Sequence, residues 1–248
     1  MDRLVYTTLS GLRSQMQAQA TIANNIANAS TIGFRADRVR FDRVVLEGQG
    51  LETRQFAAEE VDDLERAPGT IVQTGRPLDI AVSGDTWIAI QAADGSEAYT
   101  RRGDLNVAAS GVLETGDGMP VMGGSGPITL PPFQSVAIAP DGTVSIVPPG
   151  GDPAQPQVID RIRLVSASGS ATSKGLDNQL HVRGGGALPE DLDARLQSGA
   201  LEQSNVNLTQ ALVDMIENQR SYEVQANLLK EARTMDEGGA SIMRVSSQ

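Results

Sequence analysis

Apolar residues recur with helical spacing at both ends of the chain, and this pattern constrains the fold more than any other feature. In each set the positions alternate steps of four and three residues, which is typical of a helix face that packs against other helices. These sets, which we call the N-terminal seam and the C-terminal seam, are Val5, Leu9, Leu12, Met16, Gln19, Ala23 and Ile26, and Leu208, Leu212, Met215, Gln219, Tyr222, Ala226 and Leu229. The pattern predicts two terminal helices that pair as a coiled-coil-like stem.

The middle of the chain has the pattern of short β-strands separated by turns. Leu78, Ile80 and Val82 alternate with polar or small residues, and the Asp-Gly pair at 141–142 joins two similar runs as a β-hairpin. Trp87 lies in a further apolar run, where we expect a core position rather than a ligand-binding surface. The sequence therefore predicts an α+β fold, with an all-β domain inserted between the two ends of the stem.

The boundaries of these parts follow from where each pattern stops. We expect residues 1–30 and 201–248 to form the terminal helical stem, 31–75 and 189–200 to be connecting segments, and 76–188 to form the β domain. The first helix should end near 28–31, because Gly33 can adopt the positive φ of a helix-ending turn. The acidic run at 59–65 reads as a short helix or a solvated loop.

Composition excludes several classes of function. The net charge of −11 at pH 7 argues against nucleic acid as a partner, because the field of the protein repels phosphate groups. No stretch approaches the roughly 18 consecutive apolar residues of a membrane-spanning helix, so we expect no stable membrane insertion. The N-terminus lacks the pattern of a cleaved secretory signal. The chain has no cysteine, which excludes a disulfide framework and thiolate chemistry.

The residue types that catalysis needs are scarce. His181 is the only histidine, and no cysteine is present, so a nucleophile–histidine pair would depend on that one imidazole. A metal site would need carboxylates alone, and the acidic run at 59–65 is typical of an exposed charged segment. We therefore predict no catalytic residue, no cofactor and no metal site.

Five segments carry motifs that resemble those of the flagellar rod and hook proteins. The first spans 23–35 and reads ANNIANASTIGFR, and the last, within 204–223, contains SNVN followed by MIENQRSYE. Between them, TGRPLDIAV, YTRRG and GVLETGDGMPVMG occur in the family's order at 74–82, 99–103 and 111–123. By this resemblance, which covers nearly the whole chain, the protein is identified as a member of that family.

The resemblance implies a structural subunit of the bacterial flagellar basal-body rod, which transmits torque and is not an enzyme. It implies that the partners are copies of the chain and other axial proteins. It also implies delivery to the periplasm by the flagellar type III export apparatus, without a cleaved signal peptide.

The place within the family depends on fewer positions. The opening residues 1–6, the length and the ending 238–244 are more similar to proximal-rod members than to distal-rod members. One alternative is a distal-rod or hook-like axial protein. From another class, the alternative is a secreted β-domain enzyme or a carbohydrate-binding module.

The predicted functional residues form an assembly interface on the two seams and at the end of the first helix. The amides of Asn24, Asn25 and Asn28 either join neighbouring subunits, satisfy the helix end or lie on a polar surface. Phe34 packs either within its own subunit or on a neighbour. The full set is Val5, Leu9, Leu12, Met16, Ala23, Asn24, Asn25, Ile26, Asn28, Gly33, Phe34, Leu208, Leu212, Met215, Gln219, Tyr222 and Leu229.

Overall fold

The computed structural model of the chain describes residues 2–45, 55–175 and 177–245, and it has a helix at each end of a β-rich middle. The helices are α1, Asp2–Ala27, and α2, Leu208–Val245. The strands are β1 Asp37–Val45, β2 Gln55–Leu64, β3 Ile71–Gln73, β4 Ile80–Val82, β5 Thr86–Gln91, β6 Glu97–Thr100, β7 Asn106–Val107, β8 Leu113–Glu114, β9 Ser135–Ile138, β10 Thr143–Val147, β11 Gln157–Arg161, β12 Leu164–Ser166, β13 Thr172–Lys174, β14 Leu180–Val182, β15 Leu196–Ser198 and β16 Ala200–Glu202. The mixed helix and strand content confirms the predicted class in this coarse form.

The described residues divide into two compact units. The first, which we call the helical unit, lies within Met1–Ala27, Asp37–Asp63 and Asn207–Gln248. The second, the β unit, comprises Asn28–Ala36 and Leu64–Val206. After α1 the chain first passes through the β unit over Asn28–Ala36. It then belongs to the helical unit over Asp37–Asp63, returns to the β unit at Leu64 and leaves it after Val206, just before α2.

Local sequence determines where both helices are bounded. After Ala27 the chain turns, with the Thr31 amide donating to the Asn28 carbonyl at 3.1 Å, and Gly33 has a φ of 69°, as predicted for the helix end. At the start of α2 the Asn207 side-chain oxygen accepts a hydrogen bond from the Gln210 amide at 3.1 Å. Asn207 is therefore the N-cap of α2.

A five-stranded sheet with the order β12-β5-β6-β14-β13 organises the core of the β unit. Strand β5 lies inside this sheet, and its successive side chains point to opposite faces. Ile88 and Ile90 join one buried cluster, with Leu105, Leu113 and Val121 among its members. On the other face, Trp87 and Ala89 join a second cluster that contains Tyr99 and Leu180. Burial on both faces explains why β5 is apolar without alternation.

The predicted hairpin around 141–142 is present as β9 and β10. Val144 pairs with Ile138 and Ile146 pairs with Val136 in antiparallel register. Gly142 supplies the positive φ of 90° that the turn requires. Strand β11 adds to the other edge of β10, which gives a three-stranded sheet.

Segments on either side of the predicted β domain also contribute strands to the β unit. Strand β15 pairs with β4, and Leu196 in β15 is buried in the first cluster. Strand β16 pairs with β3, so that Ala200 lies opposite Gln73. The β unit is therefore closed by strands from 71–73 and from 196–202.

The acidic run at 59–65 differs from its prediction. The prediction of a short helix or loop was wrong, because this run belongs mainly to strand β2, which pairs with β1. Pairing between strands supplies backbone hydrogen bonds that local propensity does not reveal, and such context regularly overrides it. The side chains of 59–63 lie outside the described residues, so the absence of a metal site in this run stays a prediction.

Candidate assembly site

The two terminal helices contact each other within the helical unit through small and polar side chains. The side-chain amide of Asn218 donates to the Gln15 carbonyl at 3.0 Å, and Gly11 faces Gln225. On α1 the buried positions are Ser14 and Thr21, each 7% exposed. These two residues are seven positions apart and therefore share one face of the helix.

This polar contact leaves hydrogen-bonding groups unused. Among the described residues, Ser14 Oγ, Gln15 Oε1 and Gln225 Oε1 are buried without a hydrogen-bond partner. A buried polar atom without a partner costs free energy, so the contact between the two helices is weaker than its length suggests.

The N-terminal seam lies on the opposite side of α1 from Ser14 and Thr21. At 100° per residue, Met16 and Ala23 are about 160° away from these buried positions. Met16 is 58% exposed and Leu9 and Ala23 are also exposed. Leu12, Gln19 and Ile26 are partly buried, and the side chain of Val5 lies outside the described residues.

The C-terminal seam is likewise open along part of its length. Leu208, Leu212 and Gln219 are exposed, whereas the remaining seam positions, Met215, Tyr222, Ala226 and Leu229, are partly buried. A further apolar stripe on α2 was not predicted from the sequence. It consists of Val213, Val224, Leu228 and Met235, which are exposed and fall within about 60° of one another.

The amides near the end of α1 bond to the first residue of β1. Asn25 accepts from the Asp37 amide and donates to the Asp37 carbonyl, both at 2.9 Å. Asn24 donates to the Asp37 carboxylate at 2.9 Å. Asn28 accepts from the Thr31 hydroxyl at 3.1 Å. In the isolated chain these amides thus fix the path of the backbone just after α1.

Gly33 and Phe34 anchor the segment that follows α1 on the β unit. A Cβ atom at Gly33 would overlap the backbone carbonyl of Arg101, so close approach and positive φ both require glycine here. Phe34 is buried, with the Lys174 ammonium 3.6 Å from its ring centroid. Phe34 therefore packs within its own subunit in the isolated chain.

Two arginines share one carboxylate beneath this segment. Glu202 Oε1 lies 2.6 Å from Arg35 Nη2, and Glu202 Oε2 accepts from Arg101 Nε and Nη2, both at 2.7 Å. All three side chains are at most 3% exposed. The Gly69 amide also donates to Glu202 Oε1 at 2.9 Å. We call these three charged residues the buried ion cluster.

The remaining bonds of the buried ion cluster go to backbone carbonyls. Arg101 donates to the carbonyls of Val82, Gly84 and Thr86 at 2.6–2.9 Å, and Arg35 donates to those of residues 66 and 67. Burial lowers the pKa of Arg35 to about 10, and the nearby charge of Arg101 acts in the same direction. The cluster thus joins 33–36, 66–69, 82–86 and the end of β16.

Asn205 completes the connection between the two segments that continue into the helices. Its side-chain oxygen accepts from the Ala36 amide at 2.7 Å, and its side-chain amide donates to the carbonyls of Glu65 and Ala67. The segment after α1 and the segment before α2 are therefore held side by side on the β unit.

The sequence predicted the two helical seams and the residues that follow α1, but it did not predict the buried ion cluster. Arg35, Arg101 and Asn205 stand inside the quoted motifs, but no spacing rule indicates that they meet. Glu202 had no signal at all, because a glutamate near a helix start reads as an exposed residue. The Asn207 cap did have a signal, namely an Asn followed three residues later by Gln.

Catalytic and metal-binding features are not found among the described residues. No group of three or more His, Cys, Asp or Glu side chains in these residues could hold a metal ion. His181 pairs with Asp177, with 3.0 Å between Nε2 and Oδ2. Within the same residues, neither helix is apolar enough over a sufficient length to cross a membrane.

Three family models match successive parts of this chain. The model described as flagella basal body rod protein matches residues 5–35, and that described as flagellar hook protein FlgE/F/G D1 domain matches 81–146. The model described as flagellar basal body rod FlgEFG protein C-terminal matches 197–242. The matches cover most of α1, part of the β unit and most of α2.

Curated proteins of the same kind match over almost their whole lengths. The chain is 38% identical to the flagellar basal-body rod protein FlgF of Salmonella typhimurium and 40% identical to that of Escherichia coli, in each case over 92% of this chain and 93% of the relative. The flagellar basal-body rod protein FlgG of Bacillus subtilis is 30% identical over 92% of this chain and 94% of its own length.

Proposed function

The chain belongs to the family of flagellar basal-body rod proteins and is a structural subunit of the rod, and we propose that it works in the proximal rod by assembling with copies of itself and with other axial proteins. The family is structural, and the chain is not an enzyme. The proximal position is supported by residues 1–6 and 238–244, which resemble those of proximal-rod members.

One observation carries the assembly proposal: apolar side chains on both terminal helices are exposed, while the buried side chains of α1 among the described residues are the polar Ser14 and Thr21. Exposure of apolar area on a helix to water is unfavourable, and this free energy is regained when another surface covers the area. We infer that neighbouring subunits cover Leu9, Met16 and Leu212 in the rod.

In this proposal the segments 1–30 and 201–248, which contain α1 and α2, form a coiled-coil-like stem that supplies the contacts between subunits, while the β domain forms a separate body. Head-to-tail contacts between identical chains propagate a helical filament instead of closing a dimer. Many parallel apolar contacts of this kind resist sliding, which suits a subunit that transmits torque. The bonds around Asn24, Asn25 and Gly33 keep the backbone after α1 in one path.

The buried ion cluster has a mechanical role in the same proposal. It holds segment 33–36 and the end of β16 by charge-assisted hydrogen bonds, which are about twice as strong as neutral ones. A force applied to either segment is therefore opposed inside the β unit. Export by the flagellar type III apparatus and residence in the periplasm complete the proposal, and the absence of cysteine suits passage of an unfolded chain.

Electron microscopy of basal bodies from a strain that lacks the protein tests the position. We expect particles without the proximal rod. Loss of the distal rod alone would instead favour the distal-rod alternative. The FlgG relative at 30% identity is the observation that supports this alternative.

Leu212→Asp tests the seam. Leu212 is 46% exposed, so the purified variant should melt like the unchanged chain. In the assembled rod the carboxylate would be buried at a cost above the roughly 2–7 kcal/mol of an uncharged polar group, and motility should be lost. Leu192→Asp is the matched control, because Leu192 is 65% exposed on the β unit. A motile Leu212→Asp strain that incorporates the variant would remove this position from the interface.

A further inference from the structure

Helix α2 exposes a second apolar surface on the side away from the C-terminal seam. This surface, which we call the α2 stripe, consists of Val213, Val224, Leu228 and Met235, which are 44–70% exposed. At 100° per residue its centre lies about 180° from the centre of the seam. Glu217 and Glu231 fall on the same side of α2, are exposed and have no ion-pair partner among the described residues. The α2 stripe therefore combines apolar side chains with two unpaired carboxylates.

Helix α1 exposes a surface that matches the α2 stripe in spacing and in charge. It consists of the exposed residues Leu9, Arg13, Met16, Ala20 and Ala23, which we call the α1 stripe. These positions alternate steps of four and three residues and lie within about 80° of one another. Arg13 has no ion-pair partner among the described residues, and it is the only charged member. Its positive charge is complementary to the carboxylates of the α2 stripe.

The charged residues of the two stripes do not meet within one chain. The contacts described above pair rising positions on α1 with falling positions on α2, so the two helices run antiparallel. In that register Arg13 is level with 218–225 of α2. Glu231 lies about ten residues, or about 15 Å, beyond the middle of this range. A contact between Arg13 and Glu231 therefore requires two copies of the chain.

We propose that the α1 stripe of one copy packs antiparallel on the α2 stripe of a second copy, in the register that sets Arg13 opposite Glu231. Steps of four, three and four residues occur on both helices when α2 is followed backwards from Met235. The same register therefore sets Leu9 opposite Met235, Met16 opposite Leu228 and Ala20 opposite Val224. This inference rests on the proposed function, because it names the surfaces through which neighbouring copies meet.

The antiparallel register is favoured over the parallel one. A parallel register can pair Arg13 with Glu217, but it places Met16 opposite the exposed, charged Arg220. The antiparallel register instead covers the thioether of Met16, which is 58% exposed, with Leu228, which is 55% exposed. Copies that point the same way along a filament also keep α1 of one antiparallel to α2 of the next, as within one chain.

Reversal of charges tests the register in swarming cells. Arg13→Glu places a carboxylate opposite Glu231, and Glu231→Arg places two cations together, so each single variant should lose swarming. The double variant Arg13→Glu with Glu231→Arg should regain it. Arg13→Glu with Glu217→Arg is the matched control and should stay without swarming. Swarming by the Arg13→Glu strain, or rescue by Glu217→Arg instead of Glu231→Arg, would overturn the proposal.

Disulfide trapping tests whether the second surface belongs to another copy. The chain has no cysteine, so Arg13→Cys in one tagged chain and Glu231→Cys in a differently tagged chain introduce a single thiol each. Opposed positions bring the two Cα atoms to the roughly 4.4–6.8 Å that a disulfide needs. After oxidation, rods from cells that express both chains should yield a covalent dimer with both tags. Glu217→Cys in place of Glu231→Cys should yield none.

The trapping experiment separates this inference from the proposed function. Rods that contain both tagged chains but yield no mixed dimer, or in which Arg13→Cys links only to a different protein, would overturn the contact between copies. Such rods would still contain the chain as a subunit, so the assignment to the rod would stand. Absence of the chain from purified rods would contradict the proposed function itself.

Discussion

The buried ion cluster gives the sharpest test of how the β unit is held together. Glu202 is the only carboxylate that pairs with Arg35 and Arg101 among the described residues, and it is 1% exposed. Glu202→Gln keeps the shape of the side chain but removes its charge. It also places an amide N–H₂ group where an oxygen accepted hydrogen bonds from arginine or from the Gly69 amide.

The expected cost follows from breaking both ion pairs at once. Removing one partner of a buried pair costs about 3–5 kcal/mol, because the other charge stays buried without compensation. Here two guanidinium groups lose the same partner, so the upper part of that range applies. For a unit of about 150 residues, each kcal/mol lowers the melting temperature by about 2–4 °C. A cost of about 4–5 kcal/mol should therefore lower the melting temperature of Glu202→Gln by between about 8 and 20 °C.

Thermal unfolding followed by Trp87 fluorescence measures this change, because Arg101 lies 5.7 Å from the Trp87 ring centroid. Asp117→Asn is the matched control: it removes a carboxylate that pairs with Arg102 but is 54% exposed. An exposed pair contributes about 0–1 kcal/mol, so this control should shift the melting temperature by only a few degrees. If Glu202→Gln melts no lower than Asp117→Asn, the buried ion cluster does not stabilise the β unit.

Three further changes probe other parts of the molecule. Burial raises the pKa of Tyr99 to about 12 from 10.0, so stability should be full below pH 10 and fall as the pH rises towards 12; urea unfolding of Tyr99→Phe should show a shallower loss, and parallel losses would contradict this. Gly33→Ala should destabilise the chain by more than Gly184→Ala in the same assay, because both have positive φ but only Gly33 abuts the Arg101 backbone; equal losses would remove that contact from the account. Limited trypsin digestion of the monomer should cut α1 and α2 before the β unit, since their contact leaves polar atoms unpaired, and equal rates would show that the helices are as stable as the core.

Periodicity and turn residues predicted the elements that are specified by residues close together in the sequence. The seams gave both terminal helices, Gly33 marked the end of α1, and the Asp-Gly turn gave the β9–β10 hairpin. Each of these depends on residues close together in the sequence. Strand β2 was missed for the opposite reason, since it is held by pairing with β1 and not by its own composition.

Periodicity could not predict what covers each helix face. A seam such as Leu208 to Leu229 shows that apolar residues share one side of α2, but it does not show whether the partner belongs to the same chain or to another. In the isolated chain α1 instead buries the polar Ser14 and Thr21, and Asn218 of α2 donates to the Gln15 carbonyl. The exposed apolar residues of α1 and α2 are therefore the basis on which we propose that neighbouring subunits cover these faces.

The buried ion cluster was beyond sequence reasoning because its members meet only after folding. Arg101 and Glu202 are 101 residues apart, and charged residues are expected on the surface unless something else is known. What makes their burial tolerable is that almost every donor has an acceptor: Glu202 pairs with both arginines, and backbone carbonyls of two segments, 66–67 and 82–86, accept the remaining bonds. These bonds form only if β3, β4 and β16 are already correctly paired. The cluster therefore depends on the complete β unit, and it makes the positions of the two segments next to α1 and α2 a consequence of that unit's folding.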